Sequence, residues 1–200
     1  YNQTKNEGIK PTPSIGGVGL IKDYQKMITM NLKEIGNIIL VIGKTEGHID
    51  QSLFARNILD EKNGPPPEIN LFNEKDHGET LLKLINSGNI KSAHDISLGG
   101  IIIAASKMCI KGNKGIKFNK LKNYINEIEY FFSEDQGRYL IEISKNNLNK
   151  VIDVLNKNAV HYDELGTVIE KELYINDKTK VTIDELKTTN TSWLSNYMSE

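Results

Sequence analysis

Residues 37–43 read Asn-Ile-Ile-Leu-Val-Ile-Gly. Five branched aliphatic side chains in a row leave no polar alternation, and the run is of strand length, so it predicts a strand buried in the interior. A second apolar run, residues 101–110, is nearly uninterrupted and predicts a buried helix. Between them, Leu71, Phe72, Leu81, Leu82, Leu84 and Ile85 recur at helical spacing over residues 70–87, and Gly88 stands where a helix end accepts a left-handed residue. Asp50 or Ser52 can cap a shorter helix to about residue 59, which the run from Asn63 through Gly64 to Pro65, Pro66 and Pro67 must end. Residues 90–100 predict a short strand followed by a glycine turn, and residues 115–118 a further short strand.

The last third mixes helix and strand signals. Residues 131–137 read as a loop and residues 138–143 as an alternating strand. Leu148, Val151, Ile152 and Leu155 form one stripe of an amphipathic helix over residues 148–156. Residues 166–169, 172–175 and 180–183 predict closing strands, with Asp177-Lys178 as a weak hairpin turn, and a final helix over residues 183–197 carries the only Trp, Trp193.

Residues 1–35 differ in character. Proline cannot donate to a sheet ladder and glycine permits positive φ, so Pro11 to Gly19 predict a loop leading into a short strand at 17–21, with Asp23 capping a short helix. A domain is expected to start near Gly36 and run to residue 200. The chain lacks an initiator Met at Tyr1, which is expected to be an internal position of a longer protein, with a processed N-terminus as the alternative.

Composition narrows the function classes. Hydrophobic residues make up 38% and charged residues 26%, a globular rather than disordered profile. The net charge of -1 gives no sign of nucleic-acid binding through bulk charge. No apolar run approaches the ~20 residues of a spanning helix. The single cysteine, Cys109, admits no internal disulfide, points to a reducing compartment, and reads as a buried structural thiol in its apolar stretch.

Two clusters carry candidate chemistry. His94 and Asp95 stand at the end of a strand, ahead of Gly99-Gly100 and a helix, where glycines let a ligand approach and a helix start favours anions. Asp95 there could hold Mg²⁺; equally, Asp95 or Ser97 could cap the helix while His94 bonds a carbonyl. The second cluster, Glu134-Asp135-Gln136-Gly137-Arg138, gathers two carboxylates, an amide and a guanidinium in a loop entering a strand. It could grip a polar ligand or a cation, or form a solvated turn with an Arg–carboxylate pair at its base. His48, His77 and His161 are far apart, show no metal-ligand spacing, and are expected on the surface or in packing roles. Neither glycine-rich stretch fits a dinucleotide or P-loop pattern.

In order along the chain stand Tyr1-Asn2-Gln3-Thr4, Pro11-Thr12-Pro13-Ser14-Ile15-Gly16-Gly17-Val18-Gly19, Ser92-Ala93-His94-Asp95-Ile96-Ser97-Leu98-Gly99-Gly100, and Phe132-Ser133-Glu134-Asp135-Gln136-Gly137-Arg138-Tyr139. Together these resemble the second half of the phosphoribosylformylglycinamidine synthase family, over nearly the whole chain. The His-Asp element alone is shared with aminoimidazole ribonucleotide synthase and selenophosphate synthetase.

The resemblance implies an α+β fold with α/β-type layers, a PurM C-terminal-domain-like mixed sheet flanked by helices. Residues 1–35 would be the tail of a preceding N-terminal-type domain and its linker, and residues 36–200 the second copy of the C-terminal-type domain. The implied reaction is ATP-dependent conversion of formylglycinamide ribonucleotide to its amidine. ATP activates the amide oxygen, and ammonia derived from glutamine displaces phosphate, with Mg²⁺ steadying the phosphoryl charge. The implied partners are the N-terminal domains of the same enzyme and a glutamine amidotransferase subunit or domain, in the cytoplasm, without nucleic acid or membrane.

By repeat symmetry Glu134, Asp135 and Gln136 correspond to a substrate loop and Asp95 to a metal position, with His94, Gly99, Gly100 and Arg138 near nucleotide. No residue of this half is expected to be catalytic. Gln3 for Glu, Leu98 for an acid, Lys107 near a frequent Glu and Asp135 for Ser depart from the family pattern. The loss of acids around the His-Asp turn argues against a metal there, so the piece is expected to be structural and inactive alone, without its own ATP or Mg²⁺. Apolar surface left bare by absent domains predicts self-association. The alternatives are a part of a related synthase, such as aminoimidazole ribonucleotide synthase, and a binding or assembly module without activity.

Overall fold

The structure, a computed structural model, describes residues 3–4, 7–8, 13–120, 126–176 and 179–199. At the start, β1 (Gln3–Thr4) and β2 (Glu7–Gly8) form a two-residue antiparallel pair. The strand expected at 17–21 does not form. Gly16, Gly17 and Gly19 weaken a strand, and the side chains of Ile15, Val18 and Leu20 stand almost fully exposed with nothing to pack on. Asp23 does cap a helical turn, a single 3-10 turn at Tyr24–Lys26, by accepting the Gln25 amide at 3.1 Å.

The body is one seven-stranded mixed sheet. Its strands are β3 (Ile38–Ile42), β4 (Ser92–Ile96), β5 (Gly115–Phe118), β6 (Arg138–Ile143), β7 (Tyr162–Ile169), β8 (Glu172–Tyr174) and β9 (Lys180–Thr182). They lie in the order β4-β6-β3-β7-β5-β8-β9, antiparallel at every junction except the parallel β5–β8 pair. The helices are α1 (Leu53–Ile58), α2 (Leu71–Asn86), α3 (Gly100–Gly112), α4 (Glu127–Phe132), α5 (Leu148–Lys157) and α6 (Ile183–Ser199).

The apolar run of β3 explains the layering. All five of its residues are buried. Ile39 and Val41 join the cluster that packs α3, α4 and the start of α6, while Ile38, Leu40 and Ile42 join the cluster that packs α2 and α5. A strand whose alternate side chains both meet helices must be interior, which is why the sequence shows no alternation there. Truncating Leu40 to Ala would cost roughly 2–5 kcal/mol. In α3, Ile101, Ile102, Ala105, Met108 and Cys109 are all buried against this sheet. Burial pushes the Cys109 thiol up to about 12, so it serves as a packed apolar group.

Local signals set most boundaries. Ser52, rather than Asp50, caps α1 by accepting the Ala55 amide at 3.1 Å. Asn70 accepts the Phe72 and Asn73 amides at the start of α2, and Gly88 takes φ +68° just past its end. Thr182 and Glu185 bond each other's amides at the start of α6. Two boundaries differ from expectation. Residues 131–132 close helix α4 instead of opening the loop, because Asn126 caps that helix through the Glu129 amide at 2.9 Å. Strand β7 begins at Tyr162, four residues earlier than expected. Its polar Asp163 and Glu164 pair with Val41 and Leu40, and a bulge around Leu165 restores the inward register. The turn at Asp177-Lys178 lies outside the described residues, though β8 and β9 pair antiparallel across it.

A buried carboxylate fixes how the chain enters the domain. Glu142, in β6, is fully buried. It accepts the amides of Lys33 at 2.9 Å and Glu34 at 3.0 Å, the Asn37 side-chain amide at 2.7 Å and the Ser92 hydroxyl at 2.8 Å. Residues 33–37 are thereby held to the sheet before β3 begins.

Candidate functional site

The antiparallel β4–β6 pair places Asp95 opposite Tyr139 and Ile96 opposite Arg138. The His94–Gly100 turn and the Glu134–Arg138 loop therefore share one end of the sheet. They also touch: the Gly99 amide donates to Glu134 Oε1 at 2.8 Å.

The loop proves to be a hub for several segments. Glu134 Oε1 also accepts the Leu53 amide at 2.8 Å, so one carboxylate pins the start of α1 and the turn before α3 together. Asp135 is buried and accepts three successive amides, Glu46 at 3.0 Å and Gly47 at 3.1 Å on Oδ2, and His48 at 3.1 Å on Oδ1. Arg138 is 1% exposed. Its guanidinium donates to Ser133 O at 2.8 Å, Asp135 O at 3.1 Å and Thr45 Oγ1 at 3.0 Å, with Asp135 Oδ2 at 3.7 Å. Burial lowers its pKa and Asp135 opposes that shift, but a guanidinium stays charged. Gln136 alone of the three central residues is exposed, with its amide on the Glu134 carbonyl at 3.2 Å. The loop is thus neither a solvated turn nor an open grip.

The glycines at the other turn have a packing reason. Gly100 has φ +69°, and a Cβ there would lie 2.6 Å from Ser133 O and 2.7 Å from Phe131 O. Gly99 has φ +83°, and a Cβ would collide with Ile103. Only glycine lets the start of α3 settle against the 131–133 segment. His94 Nδ1 and Asp95 Oδ1 are 3.0 Å apart, and His94 Nε2 is buried without a hydrogen-bond partner among the described residues. Burial lowers the His94 pKa below 6.5, Asp95 opposing and Lys107 reinforcing the shift.

Beside the hub lies a cleft of about 600 Å³. Lys44, Glu46, Gly47 and His48 line it from the loop after β3, Pro67, Glu68, Asn70, Asn73, Glu74 and His77 from around the start of α2, Asp135, Gln136 and Gly137 from the hub, and His161 from the entry to β7. Here the sequence reading missed an assembly. The three histidines that looked unrelated come to one cleft: His77 Nδ1 meets Gly137 O at 2.7 Å, His48 Nε2 meets Pro65 O at 3.0 Å, and His161 Nε2 lies 3.4 Å from Asp163. No local motif marks them, because three separate segments deliver them.

Neither His94 nor Asp95 lines the cleft. Among the described residues no three His, Cys, Asp or Glu side chains are grouped to hold a metal ion. Asp95, assigned a metal position by the resemblance, has a histidine as its neighbour instead of further oxygens, so these residues do not fit Mg²⁺. Of the groups assigned near nucleotide, Arg138 and the Gly99 amide are engaged as above, and the Gly100 amide donates to Ser97 O at 3.0 Å. Among the described residues, no helix is long and apolar enough to cross a membrane.

Comparison with known proteins agrees with this architecture. The family profile described as "AIR synthase related protein, C-terminal domain" matches residues 34–178. The phosphoribosylformylglycinamidine synthase subunit PurL of Pelagibacter ubique is 69% identical over 198 residues, 99% of this chain. The subunit of the same name from Bartonella henselae is 41% identical over 200 residues. The chain spans 27% of the length of each. Among solved structures, Thermotoga maritima PurL complexed with FGAR superposes with a TM-score of 0.66 at 22% identity, covering 81% of this chain and 29% of that one. The Escherichia coli hydrogenase maturation protein HypE gives 0.55 at 17% identity, covering 80% of this chain and 52% of that one. At these identities the two structures share the fold alone.

Proposed function

This chain belongs to the AIR synthase related protein C-terminal domain family, and from that premise we propose that it is the C-terminal part of a PurL-type phosphoribosylformylglycinamidine synthase subunit. The observation that carries the reading is identity of 69% across 198 residues to a subunit of that name. The parent enzyme would convert formylglycinamide ribonucleotide to its amidine, with ATP activating the amide oxygen and glutamine-derived ammonia displacing phosphate. Residues 1–35 would connect to a preceding domain, and residues 36–200 would form the second C-terminal-type domain.

Within that enzyme this domain acts as scaffold. Arg138 holds its own loop, Asp135 holds the 46–48 loop and Glu134 holds two helix starts, so their polar groups are committed to the fold. Gln136, exposed and lining the cleft, would be the hub side chain that meets a ligand there. ATP chemistry and its Mg²⁺ would belong to the rest of the subunit, a glutamine amidotransferase would supply ammonia, and the assembly would be cytoplasmic.

Grafting residues 1–200 in place of the matching part of the Pelagibacter ubique subunit tests this. The hybrid, with its amidotransferase, is expected to form the amidine from ATP, glutamine and formylglycinamide ribonucleotide, while the 200-residue chain alone forms none. A folded hybrid without activity, or turnover by the chain alone, would sink the reading.

A further inference from the structure

We propose that the amides of residues 46–48 form an oxyanion receptor that the Asp135 carboxylate plugs, so that the domain carries a phosphate-type site closed by its own side chain. Three successive main-chain N–H groups converge on the two carboxylate oxygens at 3.0–3.1 Å. Gly47, at φ +88°, provides the left-handed turn that lets neighbouring amides face one point, the geometry of backbone anion nests. The Arg138 guanidinium supplies a positive charge 3.7 Å from Oδ2.

The receptor does not depend on the side chain that fills it. Arg138 is held by the carbonyls of Ser133 and Asp135 and by Thr45 Oγ1, all of which survive loss of the Asp135 carboxylate. The 46–48 loop is tied independently, through the Glu134 amide on His48 O at 3.1 Å. Removing the carboxylate would therefore leave three aligned donors and a fixed cation facing an empty pocket. That pocket opens onto the cleft, whose wall includes Glu46, Gly47, His48 and Asp135, so a small anion has a route in. Two oxygens of a tetrahedral oxyanion can face the converging amides as the carboxylate pair does. Glu68 and Glu74 line the same cleft, and their negative charge opposes anion binding at an opened site. This inference rests on the hydrogen-bond geometry and is independent of the enzyme assignment.

The test uses Asp135→Ala, which removes the plug, and Asp135→Asn, which keeps its volume, titrated with inorganic phosphate against sodium chloride of equal ionic strength. Asp135→Ala is expected to melt below the native chain. Phosphate should then raise its Tm by roughly 3–5 °C at ten times the dissociation constant. In the same titration the amide resonances of Glu46, Gly47 and His48 should move saturably. The native chain and Asp135→Asn are expected to respond no more to phosphate than to chloride. Should Asp135→Ala fail to fold in plain buffer, recovery of the fold by phosphate or by formate, the excised group itself, supports the receptor. No stabilisation of Asp135→Ala by either anion beyond chloride, or an equal phosphate response in the native chain, overturns it.

Discussion

Strand β6 has a buried acidic anchor at each end, and the two live in different surroundings. At the cleft end Asp135 receives three amides with a guanidinium alongside and lines an open cleft. At the linker end Glu142 receives two main-chain amides, a side-chain amide and a hydroxyl, all uncharged, and is sealed from solvent. The acceptor chemistry is the same. What differs is what replaces the carboxylate when it is lost: water can enter beside Asp135, whereas the donors around Glu142 would be stranded in a dry interior, where an unpaired polar group is costly. A buried carboxylate is thus a site marker only where solvent or ligand can take its place.

Substitutions can break this contrast. Glu142→Ala is expected to be the most damaging, lowering stability by about 3–5 kcal/mol in urea unfolding. A loss below about 1 kcal/mol would mean that residues 33–37 are not held as described. Arg138→Met follows at about 2–4 kcal/mol, because it strands the carbonyls of Ser133 and Asp135 and leaves the Asp135 carboxylate without its cation. Asp135→Ala should cost less than either, about 1–3 kcal/mol, since water can reach the amides it releases. An Asp135 cost equal to that of Glu142 would erase the distinction between the two ends.

A smaller effect comes from His94, beside the cleft end. Burial lowers its folded pKa below 6.5, so the unfolded chain binds the proton first as pH falls. Stability therefore declines as pH drops below 6.5 and levels off under the folded pKa. His94→Asn should flatten that part of the pH–stability profile, and an unchanged slope would show that His94 is not titrating out of step. Smallest of all is Gln136→Ala, within about 0.5 kcal/mol, since that exposed side chain holds nothing but its own loop.

Much of the fold was legible because it rests on period and punctuation. The unbroken aliphatic run of β3, the helical spacing of α2 and the Gly88 stop all correspond to burial and caps in the structure. The failures have physical causes. The strand expected at 17–21 is weakened by its glycines and finds no partner strand among the described residues. The first half of β7 was hidden because Asp163 and Glu164 look like loop residues, although their backbones pair with β3. The two motif loops meet at one end of the sheet through the β4–β6 pairing, which neither loop's own residues announce. What their side chains do was not legible: apart from the Arg138 bond to the Thr45 hydroxyl, Glu134, Asp135 and Arg138 bond backbone atoms some 35–90 positions away or within their own turn, and main-chain partners leave no trace in side-chain identity. The same holds for Glu142, an acid inside an apolar strand whose partners lie mostly over a hundred residues upstream.

The final helix contains a practical trap for anyone measuring these effects. Trp193 is the only tryptophan, and it sits two-thirds exposed beside the stacked ring of Tyr197, on a helix whose only buried residue is Ile183 at its start. Its intrinsic fluorescence reports on the last turns of the chain, which can unwind while the sheet stays intact. Unfolding followed by indole emission would then show an early, shallow transition, and the cooperative loss of the seven strands would be visible only to far-ultraviolet dichroism or calorimetry.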